Sequence, residues 1–379
     1  MLTDPILLAP ETGIPFHTAQ IQEALDRCRD AGGGEVVLSA GEWRTASLRL
    51  YSRTTLRLLS GARLLASADW RDYTDWKVPS TLGYLQSPYV REIWNLPGHY
   101  LNSPITAFEA EDVAVIGEEG SLIDGADCFD PNGEEKFRGP MGMVFCKCRG
   151  VTLRGYTYQN AANWCHQLDS CQNVHMENVT VLAGHDGVNI HHCTGVWIEN
   201  CDFRTGDDCI AGYDAENVVV RGCSLNTSCN SLRIGANGLL VERCRFWGPG
   251  AYPHRVSGRR NTLCAFEYYA MTYDSCRRDS GDWRIQDCTF EGLDSLFHYN
   301  YGGDWMHSGR PLRDVSFRRI TVTGLSAPSL LKTLPEAPLH VALEDASFGW
   351  RDGIPSEGVL RCSENVSFSL RNVRAEGLF

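Results

Sequence analysis

Two carboxylates stand side by side, Asp207 and Asp208, in the phrase Thr205-Gly206-Asp207-Asp208-Cys209-Ile210-Ala211-Gly212. A third, Asp186, lies 21 residues earlier in His185-Asp186-Gly187-Val188-Asn189-Ile190. Acids that meet on one surface can divide the work of general acid–base catalysis. One keeps its proton and donates it, while the others stay ionised and activate water. Successive side chains of a strand point to opposite faces. Both members of the pair therefore reach one surface only where the strand ends or bulges, and Gly206 marks such a place. Three close carboxylates cannot all ionise cheaply, so one would hold its proton near neutral pH. An isolated Asp-Asp would read as a solvated turn; the case for chemistry rests on how the chain spaces it from Asp186.

The spacing is that of a repeat. Met176-Glu177-Asn178-Val179-Thr180-Val181 returns as Ile198-Glu199-Asn200-Cys201-Asp202-Phe203, as Val220-Arg221-Gly222-Cys223-Ser224-Leu225 and as Val241-Glu242-Arg243-Cys244-Arg245-Phe246. From Val179 through Cys201 and Cys223 to Cys244 the steps are 22, 22 and 21 residues. Further copies stand at Leu153–Tyr158 and Ile285–Phe290, with looser ones at 317–322 and 370–375. A fixed period of this length signals stacked units. Each copy alternates and is β-branched, which reads as strand, and the Asn, Gly and Asp between copies read as turns. The expected fold is all-β: a right-handed parallel β-helix, a solenoid whose coils rise about 4.8 Å each. Segments one period apart are then neighbours, so Asp186 would be one coil from Asp207 and Asp208. Cys201, Cys223, Cys244 and Cys288 would form an inward ladder of small buried residues.

A coil needs a closed end. Thr18 is expected to cap a short N-terminal helix that turns Ile21, Ala24, Leu25 and Cys28 to one face, with Gly32-Gly33-Gly34 stopping it. No linker or shift of composition divides the chain, so residues 1–379 read as one domain. Two stretches break the period, 72–103, rich in Tyr, Trp and Pro, and 249–260. Both read as long loops leaving the coil, the first as a wall of a cleft.

Composition narrows the partners. The net charge is −12 and no basic stripe appears, which argues against nucleic acid. No apolar run is long enough to span a membrane, and no signal peptide opens the chain. With the 16 cysteines placed by the repeat, reduced thiols in a cytoplasm are expected. No paired Cys-x-x-Cys with matching histidines occurs, so neither metal nor cofactor is expected. Oligomeric state is not legible.

At these residues the chain resembles glycoside hydrolase family 28, the polygalacturonase family. The resemblance covers nearly the whole chain. It includes the opening Thr18–Leu25 with Ala31–Leu38, then Gly120-Ser121-Leu122-Ile123-Asp124-Gly125, then Asn163-Trp164-Cys165-His166 and Cys171-Gln172-Asn173-Val174. Its most specific part is Gly206-Asp207-Asp208-Cys209-Ile210-Ala211 with Asp186-Gly187 one period before. The resemblance implies a β-helix that hydrolyses glycosidic bonds with inversion. Asp208 would protonate the leaving oxygen, and Asp186 and Asp207 would activate water.

The departures point to a changed substrate. Gly184-His185 stand where the family has Asn-Thr, so His185 is a candidate to tune Asp186 or touch the sugar. Cys229-Asn230-Ser231 stand where it has Gly-His-Gly, so Asn230 replaces the family's histidine. The Arg-Ile-Lys that holds a galacturonate carboxylate has no clear counterpart; Arg233, Arg255, Arg259 or Arg260 would substitute. Tyr299, Asn300, Tyr301 and Trp305 are candidates to line a sugar subsite, Tyr301 first among them; His191 and His192 are weaker candidates. The expectation is an exo-acting hydrolase of pectin-derived oligosaccharides, of galacturonate or rhamnogalacturonan type. A β-helix uronate lyase or epimerase, and a non-catalytic carbohydrate-binding β-helix, are the alternatives.

Overall fold

Short strands that each find a partner one turn of chain later build the molecule. The computed structural model describes residues 4–353 and 358–379, and the chain falls into two compact units, Met1–Asn189 and Ile190–Phe379. In the first unit, Met143–Cys146 lies between Ile105–Phe108 and His166–Asp169, all parallel. Arg149–Arg154 lies likewise between Glu111–Gly117 and Gln172–Glu177, and Thr157–Gln159 between Leu122–Asp124 and Thr180–Ala183. Three strands per coil thus feed three parallel ladders. The second unit repeats the plan: Asp202–Thr205, Ser224–Thr227, Arg245–Trp247 and Thr289–Glu291 form one ladder. Asn230–Glu242 pairs with Ile210–Arg221 on one side, and with Cys264–Tyr268 and Gly281–Gln286 on the other. The parallel β-helix expected from the repeat is the fold.

The repeat's third position has a backbone reason. Gly155, Asn178, Asn200, Gly222, Arg243, Asp287, Arg319 and Asn372 all have φ between 50° and 80°. This is the left-handed corner that Gly, Asn and Asp tolerate best. A Cβ on Gly222 would come within 2.7 Å of the Asn200 side chain stacked beside it, so glycine follows asparagine there. At Arg319 a stacked partner compensates: its guanidinium forks onto Asp287 at 2.6 and 2.7 Å.

The second unit's interior is a column of aromatic and small residues. Phe246 stacks on Phe290 at 4.6 Å, and Phe266 meets Phe246, Phe297 and Phe317 edge-on or tilted. Cys201, Cys223, Cys244 and Cys288 are buried as expected. Their thiols donate to backbone carbonyls such as Glu199 O, Arg221 O, Glu242 O and Gln286 O.

Two expectations need correcting. The N-terminal helix runs Thr18–Asp30 and buries Ile21, Ala24, Leu25 and Cys28, but its N-cap is His17, not Thr18. The Thr18 hydroxyl instead accepts the Ala46 N–H at 3.0 Å, tying the helix to the neighbouring chain. The stretch 72–103 is not all loop: it contains the helices Gly83–Gln86 and Pro88–Ile93. Ser87 caps the second and Pro88 starts it, an order that suits a helix start.

Candidate active site

Asp207 and Asp208 occupy the corner between the strands Asp202–Thr205 and Ile210–Arg221. The strand ends before them, so alternation no longer forces them apart. The corner is pinned by two stacked threonines. Thr205 Oγ1 donates to the Asp207 carbonyl at 2.6 Å, and Thr227 Oγ1, one coil on, donates to the same oxygen. The two carboxylates meet unequal surroundings. Asp208 is 1% exposed, while the Asp207 side chain is 17% exposed.

Asp208 is gripped by the next coil. Its Oδ1 accepts from the Asn230 backbone N–H at 3.1 Å and from Asn230 Nδ2 at 2.9 Å. Arg233 Nε stands 2.5 Å from its Oδ2. Burial pushes the Asp208 carboxyl up, and Asp207 adds to that, while the Arg233 charge and the Asn230 donors pull the other way; the balance is upward. Asn230 and Arg233, both singled out from the sequence, are thus on the acid itself. The Arg233 guanidinium also lies over the Tyr269 ring at 4.5 Å.

A residue not foreseen from the sequence joins Asp207. His254, on the 249–260 stretch, places Nε2 at 3.8 Å from Asp207 Oδ1. Its Nδ1 faces the Ser257 N–H at 3.2 Å and the Ser257 hydroxyl at 3.0 Å. Arg259, expected at the substrate, braces this loop: Nε donates to Ser228 O at 3.0 Å and Nη2 to Cys229 Sγ at 3.0 Å. Arg255 is exposed on the same stretch, and Arg260 donates to Ala251 O at 2.8 Å. Tyr301 lines another cavity, of about 470 Å³, with Asp279, Arg310 and Arg313, and its hydroxyl donates to Gly309 O at 3.1 Å. Asp207 and Asp208 do not line that cavity. His191 and His192 pack against Tyr213.

In the first unit, Asp186 and His185 are each 1% exposed. Asn189 Nδ2 donates to Asp186 Oδ2 at 2.9 Å, and the Asp186 carbonyl accepts the Cys165 N–H at 2.9 Å. The His185 ring stacks on Phe137 at 5.9 Å. Nearby, the buried Glu134 takes the Tyr100 hydroxyl at 3.1 Å and Asn163 Nδ2 at 3.3 Å. Burial pushes the Glu134 carboxyl up against the pull of Arg138.

On the coil after Asn230, the strand Cys264–Tyr268 places Glu267 in register with Arg233, and His298 follows in register with Glu267. His298 Nδ1 is 2.7 Å from Glu267 Oε1, and His307 Nε2 is 2.9 Å from the same oxygen. Burial opposes ionisation of Glu267, but the two imidazoles overcome it and hold the carboxyl at about 2. Glu267, His298 and His307 lie close enough together to hold a cation, as do Asp207, Cys229 and His254. The imidazoles argue for protons in both places. His307 Nδ1 accepts the Asn300 N–H at 2.8 Å, so its Nε2 carries the hydrogen toward Glu267. His254 Nδ1 takes the Ser257 N–H, so its Nε2 carries the hydrogen toward Asp207.

Fold and site together define a parallel β-helix protein with an acid pair at a coil corner. Residues 98–238 match the model of glycosyl hydrolases family 28. The chain is similar to a protein named probable polygalacturonase from Vitis vinifera, with 30% identity over 217 residues, covering 53% of this chain and 42% of that one. The chain thus spans less than half of that relative's length. Among solved structures it is similar to a hyperthermoactive exopolygalacturonase from Thermotoga maritima, with TM-score 0.73 and 16% identity over 98% of this chain and 92% of that one. It is also similar to a family 28 exopolygalacturonase of Yersinia enterocolitica, with TM-score 0.66 and 17% identity over 99% and 79%. These likenesses bear out the right-handed parallel β-helix. Among the described residues no helix is long and apolar enough to cross a membrane.

Proposed function

We propose that this chain is a glycoside hydrolase that trims pectin-derived oligosaccharides from one end, with inversion at the anomeric carbon. The observation that carries the reading is the unequal environment of two neighbouring acids. Asp208, buried and pushed toward its neutral form, suits the general acid that protonates the leaving oxygen. Asp207, partly exposed, suits a carboxylate that activates water, and the 21-residue spacing assigns Asp186 to it as a second. The assignment of inversion rests on the family resemblance. Action from one end is supported by the 249–260 stretch, which brings His254 up to Asp207.

Asn230 in place of the histidine implied by the resemblance, and the lack of a clear counterpart to its Arg-Ile-Lys, favour rhamnogalacturonan-type oligosaccharides over homogalacturonate. Buried thiols on the repeat support a reducing, cytoplasmic setting, with short imported oligosaccharides as substrates.

The test is a product screen on oligogalacturonates and rhamnogalacturonan oligosaccharides, with proton NMR of the first anomer released. The expected result is release of small saccharides from one end, fastest for the rhamnogalacturonan type, with inverted configuration. No hydrolysis of either set would overturn the reading. An unsaturated product absorbing in the near ultraviolet would replace it with a lyase.

A further inference from the structure

We propose that His254 is a positioning residue for Asp207, held there by a purpose-built loop. The inference rests on the hydrolytic reading above for its role, but its geometry stands alone.

The first observation is orientation. The Ser257 N–H and hydroxyl face Nδ1 of His254 at 3.2 and 3.0 Å. A backbone N–H is a donor only, so Nδ1 accepts, and in the neutral ring Nε2 carries the hydrogen. Nε2 stands 3.8 Å from Asp207 Oδ1, beyond a direct hydrogen bond but within ion-pair reach. A ring held beside one carboxylate oxygen leaves the other to take a proton from water.

The second observation is how much of the chain is used to hold the ring. Stretch 249–260 lies between the strands Arg245–Trp247 and Cys264–Tyr268 and has no strand or helix of its own. It is clamped by side chains of the coil that follows Asp207. Asn226 Nδ2 donates to Trp247 O and Pro249 O at 2.8 and 2.9 Å, and Asn226 Oδ1 accepts the Ala251 N–H at 2.7 Å. The Ser228 hydroxyl donates to Tyr252 O. Gly250 runs so close to Ser228 that a Cβ there would overlap it, at 2.1 Å from Oγ. Arg259 closes the loop from the far side through Ser228 O and Cys229 Sγ. Side chains locked in this way are what a positioned catalytic contact requires.

Asp207 and Cys229 lie beside the His254 ring, and Asp208, Arg233 and Arg259 act on the Cys229 thiol in turn. Asp207 is the carboxylate recorded against the ring, at 3.8 Å.

Two readouts separate this inference from the hydrolytic reading. First, the His254 imidazole is titrated by 15N–1H NMR in the parent and in Asp207→Asn, with no substrate present. The expected result is a midpoint lower by about one pH unit or more in the variant, from an anion at this distance. An unchanged midpoint overturns the proposal whatever the substrate is. Second, on the best oligosaccharide from the screen, His254→Ala is expected to lower kcat about 10- to 100-fold with KM within about twofold. His254→Gln, whose amide N–H reaches a similar place, is expected to recover most of the loss. A rise in KM alone, or failure of glutamine to recover kcat in a variant whose Tm matches the parent, overturns it.

Discussion

At Asp208 three forces compete, and their ranking decides the chemistry. Burial favours the neutral acid, whereas Arg233 at 2.5 Å and the two Asn230 donors favour the anion. A general acid works only while protonated, so activity is present below its folded-state pKa and is lost as pH rises through it. Arg233→Met removes the nearest cation and lets burial win by more. The alkaline limb of the pH–kcat profile is therefore expected to move up by about one to three pH units. A limb that moves down, or stays, would show that Asp208 does not set it. The acid pair was legible in the sequence because Gly206 marked a strand end and the repeat supplied a neighbour. His254 was not legible, because its place depends on Asn226, Ser228 and Arg259 folding an aperiodic stretch back onto the coil. Histidines beside the acids in sequence drew attention instead, and His191 and His192 turn out to pack on Tyr213.

At the scale of elements, the repeat was readable because each column has one physical job. The third position makes a left-handed corner, and the fourth fills the interior with cysteine. Segments outside the repeat obey local chemistry, and the helix at Pro88–Ile93 announced itself only through Ser87-Pro88. One such segment carries a titratable strut. Asp274, in the short 3-10 turn Thr272–Asp274, is fully buried, accepts the Met271 N–H at 2.6 Å, and through its carbonyl holds His192 Nε2 at 3.0 Å. Burial pushes its carboxyl up to about 8, against the Met271 donor and the Arg233 charge. With a folded pKa above the unfolded value, the folded chain binds the proton more tightly. The stability this gives is fully present below about pH 4 and is lost as pH rises toward 8. Asp274→Asn keeps the acceptor and removes the titration. Its Tm is expected to exceed the parent's at pH 8 and to approach it at pH 4.5. Equal differences at both pH values would contradict a buried neutral Asp274.

For the whole molecule, the fold and the chemistry rest on different kinds of evidence. Stacked phenylalanines, thiols and left-handed corners specify a parallel coil, and a coil can carry many activities. What makes this one a hydrolase in our account is a single corner where a buried acid and a more exposed one stand side by side. Around that corner the contacts differ from those the family resemblance implies. Asn230 stands where a histidine is implied, and Arg233 lies on the acid. Substrate choice was therefore less legible than reaction type, since it depends on side chains that the repeat does not constrain. The most direct test of the central claim is kcat of Asp208→Asn on the best oligosaccharide of the pectic panel, with Tm measured alongside. Asparagine keeps the shape and the oxygen that Asn230 contacts but has no proton to give. The account predicts a fall of at least about 100-fold, with the fold intact. Full activity in a folded Asp208→Asn protein would contradict it.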